Sequence, residues 1–378
     1  MLLDTISKLC SNRVMRWERQ RVVPPKEGAS APELPLGLPE GAPSSSEQRP
    51  RAGLRLPEPV PIEAGTEEAY AIEIHAKSVL NRVPGESQVP FRWTVNPYRG
   101  CTHACIYCFA RRTHTYLDLD AGHDFDSKIV VKVNAGALLR KELASPRWTG
   151  EPIAMGTNTD PYQRAEGRYR LMREIIAALR DRANPFSILT KGTLILRDLD
   201  LITEAAQRAR VSVAVSVGSV NEGLWRAVEP GAPSPLRRLD VVRRFAEAGI
   251  GCSVLMAPIL PGLSDSSAEI DRTVAAIAEA GATSLTPIVL HLRPGAREWY
   301  HGWLRSQRPE LLPLYERLYR NGAYTPKSYQ REVANLVEQA KRRHGLAHPQ
   351  RPENFREQQH DPPQSDADRD RERQLTLL

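Results

Sequence analysis

A chain of 378 residues with 41% apolar side chains has enough length and oil to bury a large core, which excludes a wholly disordered or fibrous protein. The net charge of +7 permits an anionic partner such as nucleic acid, a phosphorylated metabolite or an acidic protein, without requiring one. No apolar run approaches membrane length, the first residues lack a secretion-signal pattern, and five cysteines with three of them clustered argue against a disulfide framework. The expectation is a cytoplasmic protein with no membrane contact, whose thiols serve metal or redox chemistry.

Residues 1–66 open the chain with a Pro-, Gly-, Ser- and Glu-rich stretch that includes ten prolines between Val22 and Ile62. Such a segment supports neither ladders nor a core and is expected to be mostly disordered. From 67 to 300, short β-branched runs alternate with amphipathic segments of helical period. The expected strands are 89–95, 152–156, 186–191, 211–217, 251–258 and 284–292. Each of the first five leads through a polar turn into a helix. In the helix that includes Leu171, the residues Ile175, Ala178 and Leu179 share its apolar stripe, with Arg173 and Arg180 opposite. The helix after Asp240 repeats the pattern with Val241, Val242, Phe245 and Ala248.

Alternation of strand and helix means parallel βαβ units. Six strands are too few for a complete eight-stranded barrel and fit a partial barrel or a doubly wound sheet. In both, ligands bind beyond the C-terminal ends of the strands. Residues 301–345 read as a helical extension packed on this core, and 346–378 as a disordered charged tail.

The decisive stretch is NPYRGCTHACIYCFARRTHTYL, residues 96–117. Cys101, Cys105 and Cys108 fall in the loop after the first strand, in the order C-x3-C-x2-C and with no fourth cysteine nearby. Three thiolates on one curved loop can hold three corners of an iron-sulfur cluster and leave its fourth iron open. A Cys3His zinc site completed by His103 or His114 is the rival reading. Three buried, unliganded thiols are the third. Cys252, at the start of the fifth strand, reads as a core thiol away from the chemistry.

This stretch resembles the radical S-adenosylmethionine (SAM) superfamily, whose signature C-x3-C-x-aromatic-C is matched by CTHACIYC with Tyr107 in the aromatic slot. NPYRGC, YCFAR and THTYL are similar to its spore photoproduct lyase-like branch. The resemblance implies a partial (β/α)6 barrel of the radical SAM type, a 4Fe-4S cluster on Cys101, Cys105 and Cys108, and S-adenosyl-L-methionine as cofactor. It implies reductive cleavage of SAM to a 5′-deoxyadenosyl radical, fed by an external electron donor of flavodoxin or ferredoxin type.

Further site residues follow from the same resemblance. MGTNTDPYQRAEGRY stands in for the stretch that receives the SAM amino group, through Thr157, Thr159 and Asp160. Lys191 would take the SAM carboxylate and Ser216 the ribose. MAPILPGLSD degenerately matches a G-x-I-x-G-x-x-E pattern as Pro258, Leu260, Gly262 and Asp265, with Leu260 against the adenine.

The branch suggests a lyase or repair-like reaction on nucleic acid, and Arg111, Arg112, Arg164 and Arg168 would suit phosphates unless they pair with Asp124, Glu166 and their neighbours. One departure stands against strict lyase function: those lyases carry a hydrogen-donating cysteine at the end of the second strand, and MGTNTD has none. A metabolite or protein substrate, or a non-enzymatic zinc- or nucleic-acid-binding module, are the alternatives. No catalytic residue is assigned.

Overall fold

The computed structural model describes residues 59–62, 69–83 and 91–346. Apart from 59–62 and Leu346, the expected N-terminal extension and charged tail lie outside the described residues, as does Cys10. Eleven strands are present among the described residues: β1 (Val60–Pro61), β2 (Tyr70–Ile74), β3 (Leu80–Arg82), β4 (Trp93–Val95), β5 (Tyr98–Arg99), β6 (Lys128–Lys132), β7 (Ile153–Met155), β8 (Phe186–Thr190), β9 (Val211–Ser216), β10 (Cys252–Ile259) and β11 (Ser284–Val289).

The larger sheet has the order β11-β10-β9-β8-β7-β4-β3. From β4 to β11 its six strands run parallel in chain order, and β3 joins β4 antiparallel at one edge. These six are the strands expected from sequence. Among the described residues the ladder stays open between β3 and β11, so the architecture is a mixed α/β partial barrel. Its C-terminal strand ends all face one side, which is where side chains from distant segments can meet.

The helices form where the apolar period places them. In the helix Leu171–Asp181, Leu171, Ile175, Ala178 and Leu179 are buried, while Arg173 pairs with Asp200 at 2.7 Å and Arg180 with Glu204 at 2.6 Å on the outer face. The helix Pro235–Glu247 starts with Ser234 accepting the N–H of Arg237 and a proline in its first turn, where the missing N–H costs nothing. Val241, Val242 and Phe245 are buried on it as expected. Ala248 instead lies exposed just past its last turn.

A second sheet, in the order β1-β2-β6-β5, has no counterpart in the sequence reading. Its central strand β6 is the short run KIVVK, too brief for periodicity to separate strand from loop. Its side chains alternate: Ile129 and Val131 join the main core, and Val130 packs with Ile72, Ile74 and Leu117 on the other side. The helix Ala135–Leu143 therefore follows β6, not β4. Three more helices, Ala296–Gln307, Leu312–Leu318 and Lys327–Arg343, close the described chain. Tyr300 and Tyr315 share a hydrogen bond at 2.8 Å, and the hydroxyl of Tyr319 donates to the Leu290 carbonyl at 2.7 Å. This tyrosine cluster is continuous with Cys105, Ile106 and Tyr107, so the C-terminal helices back the cysteine loop.

Candidate functional site

The cysteine loop leaves β5 through Gly100, whose φ of +79° and close approach to His114 and the Phe125 carbonyl admit no side chain. The N–H of Cys101 donates to that Phe125 carbonyl at 2.9 Å, and two tight turns follow, Ala104 to Cys101 and Cys108 to Cys105. This curvature brings Cys101, Cys105 and Cys108 to one cavity at the C-terminal edge of the large sheet. All three thiols are free. Burial pushes Cys105 up to about 12, with Cys108 adding to the rise. Cys101 is likewise raised by burial and then by Asp160, Cys105 and Cys108. Three thiolates so close together repel one another and need a cationic centre to coexist.

The loop after β7 braces that curve. Gly156 takes a φ of +83°, and a Cβ there would lie 1.8 Å from the Leu189 carbonyl oxygen, so this backbone presses directly on β8. The hydroxyl of Thr159 donates to the Gly100 carbonyl at 2.6 Å, and Gln163 donates to the same oxygen at 3.0 Å while accepting the N–H of Thr102 at 3.0 Å. Asp160 accepts the hydroxyl of Thr190 and the N–H of Lys191, each at 2.6 Å, and lies 3.4 Å from the His103 ring. Burial alone would raise its pKa, but His103 and these donors hold it down to about 2. Thr159 and Asp160 line the cavity, with their polar atoms already engaged in holding the loop. Thr157 is buried and outside the cavity lining; its neighbours Gly156 and Asn158 line it instead.

Lys191 reaches the cavity from the end of β8 and lies over the Tyr107 ring, 5.7 Å from its centroid. Burial disfavours its charge, yet Cys105 and Glu229 keep its pKa raised. Ser216, at the end of β9, lines the cavity and donates to the Ala257 carbonyl at 3.0 Å. Tyr107 also lines it and donates its hydroxyl to Glu229. Glu229 pairs in turn with Arg238, which is 1% exposed. Neither of these two was picked out from sequence. No motif marks them, because each is polar on a segment that reads as an ordinary helix or turn.

Beyond β10, Ala257 and Pro258 form cavity wall, whereas Leu260 lies beneath it among Tyr107 and the tyrosine cluster. Asp265 closes its own turn by accepting the N–H of Gly262 and ties it to Tyr329 at 2.6 Å. Ile288 and Val289 at the end of β11, and Leu290, His291 and Arg293 just beyond it, add to the lining, and the sequence reading had assigned none of them a site role.

The arginines expected to face phosphate divide. Arg111 is fully buried, paired with Asp126 at 2.9 Å and donating to the carbonyls of Cys105 and Gly122. It locks the cysteine loop and offers nothing to a ligand. Arg168 donates to the Pro61 carbonyl at 2.6 Å, while Arg112 and Arg164 are exposed. The two histidines of the zinc reading are also engaged: His103 faces Asp160, and the His114 ring contacts the Lys128 carbonyl at 2.9 Å and packs on Phe125.

Residues 95–274 match the family model described as the radical SAM superfamily. The chain belongs to the radical SAM superfamily. As a radical SAM protein it uses a 4Fe-4S cluster and S-adenosyl-L-methionine. Uncharacterized proteins of Mycobacterium tuberculosis and Mycobacterium bovis are 51% identical over 280 residues, which is 74% of this chain and 82% of those proteins. A radical SAM Nalpha-GlyT isomerase of Pseudomonas phage M6 is 26% identical over 169 residues, 44% of this chain and 33% of that protein. Among solved structures, spore photoproduct lyase with bound AdoMet and dinucleoside spore photoproduct aligns at a TM-score of 0.57 with 16% identity, over 76% of this chain and 85% of that one. The last likeness is one of fold.

The radical SAM donor set fits. Three free thiols along one cavity wall suit a wider group with sulfur-seeking irons. Among the described residues no helix is long and apolar enough to cross a membrane.

Proposed function

We propose that Cys101, Cys105 and Cys108 ligate the 4Fe-4S cluster of this radical SAM enzyme, that SAM binds across the ends of β7 to β10, and that the substrate is nucleic acid. The observation that carries the reading is the meeting, at one cavity, of three free thiols and the Lys191 ammonium. The chemistry supplied when both cofactors are bound is reductive cleavage of the sulfonium to a 5′-deoxyadenosyl radical.

The chain's own residues then have separate tasks. Lys191 offers donors to the SAM carboxylate. Ser216 keeps its oxygen lone pairs for a ribose hydroxyl while donating to Ala257. Thr159 and Asp160 shape the receiving loop through the bonds already made, and Gly156 with Asn158 gives the amino group backbone and amide partners. Leu255, Ala257, Pro258, Ile288 and Val289 form an apolar wall that keeps water from the radical.

The nucleic-acid reading draws on the fold shared with the dinucleoside-bound lyase, and on His291 and Arg293 in the cavity lining. A lyase or repair-like reaction, a flavodoxin- or ferredoxin-type donor and a cytoplasmic location complete the proposal, with 67–300 as core and 301–345 as its helical backing. The test is anaerobic reconstitution followed by 5′-deoxyadenosine measurement from SAM, with and without ultraviolet-irradiated DNA. Stimulation by DNA supports the reading. Cleavage unaffected by DNA shifts the substrate to a metabolite or protein, and a colourless zinc protein that leaves SAM intact would sink the whole.

A further inference from the structure

The carboxylate of Glu229 is buried at the centre of a network assembled from four parts of the chain. One oxygen, Oε1, accepts the hydroxyl of Tyr107 from the cysteine loop. The other, Oε2, is paired with Arg238 from the helix Pro235–Glu247. Arg238 is itself fixed by donating to the Pro233 carbonyl at 2.7 Å and the Ser216 carbonyl at 3.0 Å. The turn that carries Glu229 is pinned to the cysteine loop by the Ile106 N–H on the Val228 carbonyl and the Gly231 N–H on the His103 carbonyl, both at 3.1 Å.

The Lys191 ammonium lies 3.9 Å from Oε1 of this carboxylate. A charge-assisted hydrogen bond would measure about 2.8 Å, so the pair is attracted without being bonded. Tyr107 and Arg238 hold the two Glu229 oxygens from opposite segments, which fixes the carboxylate where it stands and keeps it from swinging toward the lysine. Among the described residues the Lys191 ammonium makes no hydrogen bond, and Lys191 lines the cavity.

We propose that Glu229 is a positioning residue for Lys191: fixed in place by Tyr107 and Arg238, its carboxylate aims the ammonium at the cavity without capturing it. Tyr107 then acts on SAM binding through Lys191, by holding the Glu229 oxygen back from the lysine. This rests on the proposed role of Lys191 as the partner of the SAM carboxylate.

The test is a double-mutant cycle on SAM affinity, measured by anaerobic equilibrium dialysis of iron-loaded protein, with iron per chain as the check on folding and loading. Lys191→Ala is expected to weaken SAM binding roughly tenfold, the effect of one lost charge-assisted hydrogen bond. Tyr107→Phe frees Oε1 for Lys191 and is expected to weaken binding by a similar factor at unchanged iron content. The Tyr107→Phe, Lys191→Ala double variant should bind no more weakly than Lys191→Ala alone. Adding Glu229→Gln and Arg238→Met to Tyr107→Phe removes the capturing charge together with its buried counter-charge, and should restore affinity to within threefold of wild type.

Losses that multiply in the double variant, or a Tyr107→Phe protein that binds SAM like wild type, overturn the positioning role while leaving Lys191 as the carboxylate partner. A Lys191→Ala protein with wild-type affinity overturns both.

Discussion

Asp160 accepts the backbone N–H of Lys191 at 2.6 Å, so the loop after β7 sets where the chain leaves β8. Its other contacts, Thr190 and His103, extend the same clasp to the cysteine loop. Asp160→Asn keeps a single acceptor oxygen, so either the Lys191 N–H or the Tyr162 N–H, which bond to different oxygens of Asp160, loses its partner. The loss of a buried acceptor costs about 2 kcal/mol, which for a domain of this size lowers Tm by roughly 5 °C. Thermal melts of the apo-protein check it, and iron retained after reconstitution should fall in parallel.

The same carboxylate makes acid stability pH-dependent. Its folded pKa of about 2 lies below the ordinary 3.8, so the folded state binds fewer protons than the unfolded one between those values. The stabilisation, roughly 2 kcal/mol, is fully present above pH 4 and drains away as pH falls toward 2. Acid unfolding of wild type beside Asp160→Asn should therefore converge at pH 2 and diverge above pH 4.

Gly156→Ala tests the close approach of β7 and β8. Its Cβ would meet the Leu189 carbonyl oxygen at 1.8 Å in a left-handed backbone, whereas Gly150, at φ +78°, has nothing within 4 Å. Gly150→Ala carries only the conformational cost, about 1 kcal/mol. Gly156→Ala adds a clash against backbone, expected on the order of 4 kcal/mol. Urea unfolding of the two variants should show that separation.

Lys132 in β6 is 3% exposed, and burial followed by Arg99 pushes its pKa down to about 7. The folded state sheds this proton at lower pH than the unfolded chain does, so its contribution improves with rising pH from about 7 to about 10. Lys132→Met removes the penalty of a buried ammonium, on the order of 4 kcal/mol near neutral pH. The variant should melt roughly 10 °C higher at pH 7, with a flatter alkaline limb.

The cysteines should separate by iron content. Cys252 opens β10 at 0% exposure, at the N-terminal end of its strand. Cys252→Ala should keep wild-type iron and SAM cleavage at a cost of about 1 kcal/mol. Cys108→Ala should lose most of its iron and all detectable 5′-deoxyadenosine formation. Iron retained in full by Cys108→Ala would remove that thiol from the ligand set.

The degree to which each feature was legible follows the range of the interaction behind it. The six parallel strands and the apolar stripe of Leu171, Ile175, Ala178 and Leu179 were readable because period and burial are written within a few residues. Strand β6 was not, since three apolar residues between two lysines acquire strand character only from β2 and β5 on either side. Thr159 and Asp160 were read as cofactor contacts and line the cavity, but their hydrogen bonds run to Gly100, Thr190 and Lys191. Arg111 was read as a phosphate contact and is instead a buried brace.

By itself, then, the sequence determined the α/β alternation and the three-thiol loop, because both are local: backbone period in one case, and cysteine spacing along eight residues in the other. Only the tertiary structure decided what surrounds those thiols. The Glu229 carboxylate lies 122 residues along the chain from the Tyr107 hydroxyl it accepts, and a polar side chain's partner depends on which strand ends the fold brings together.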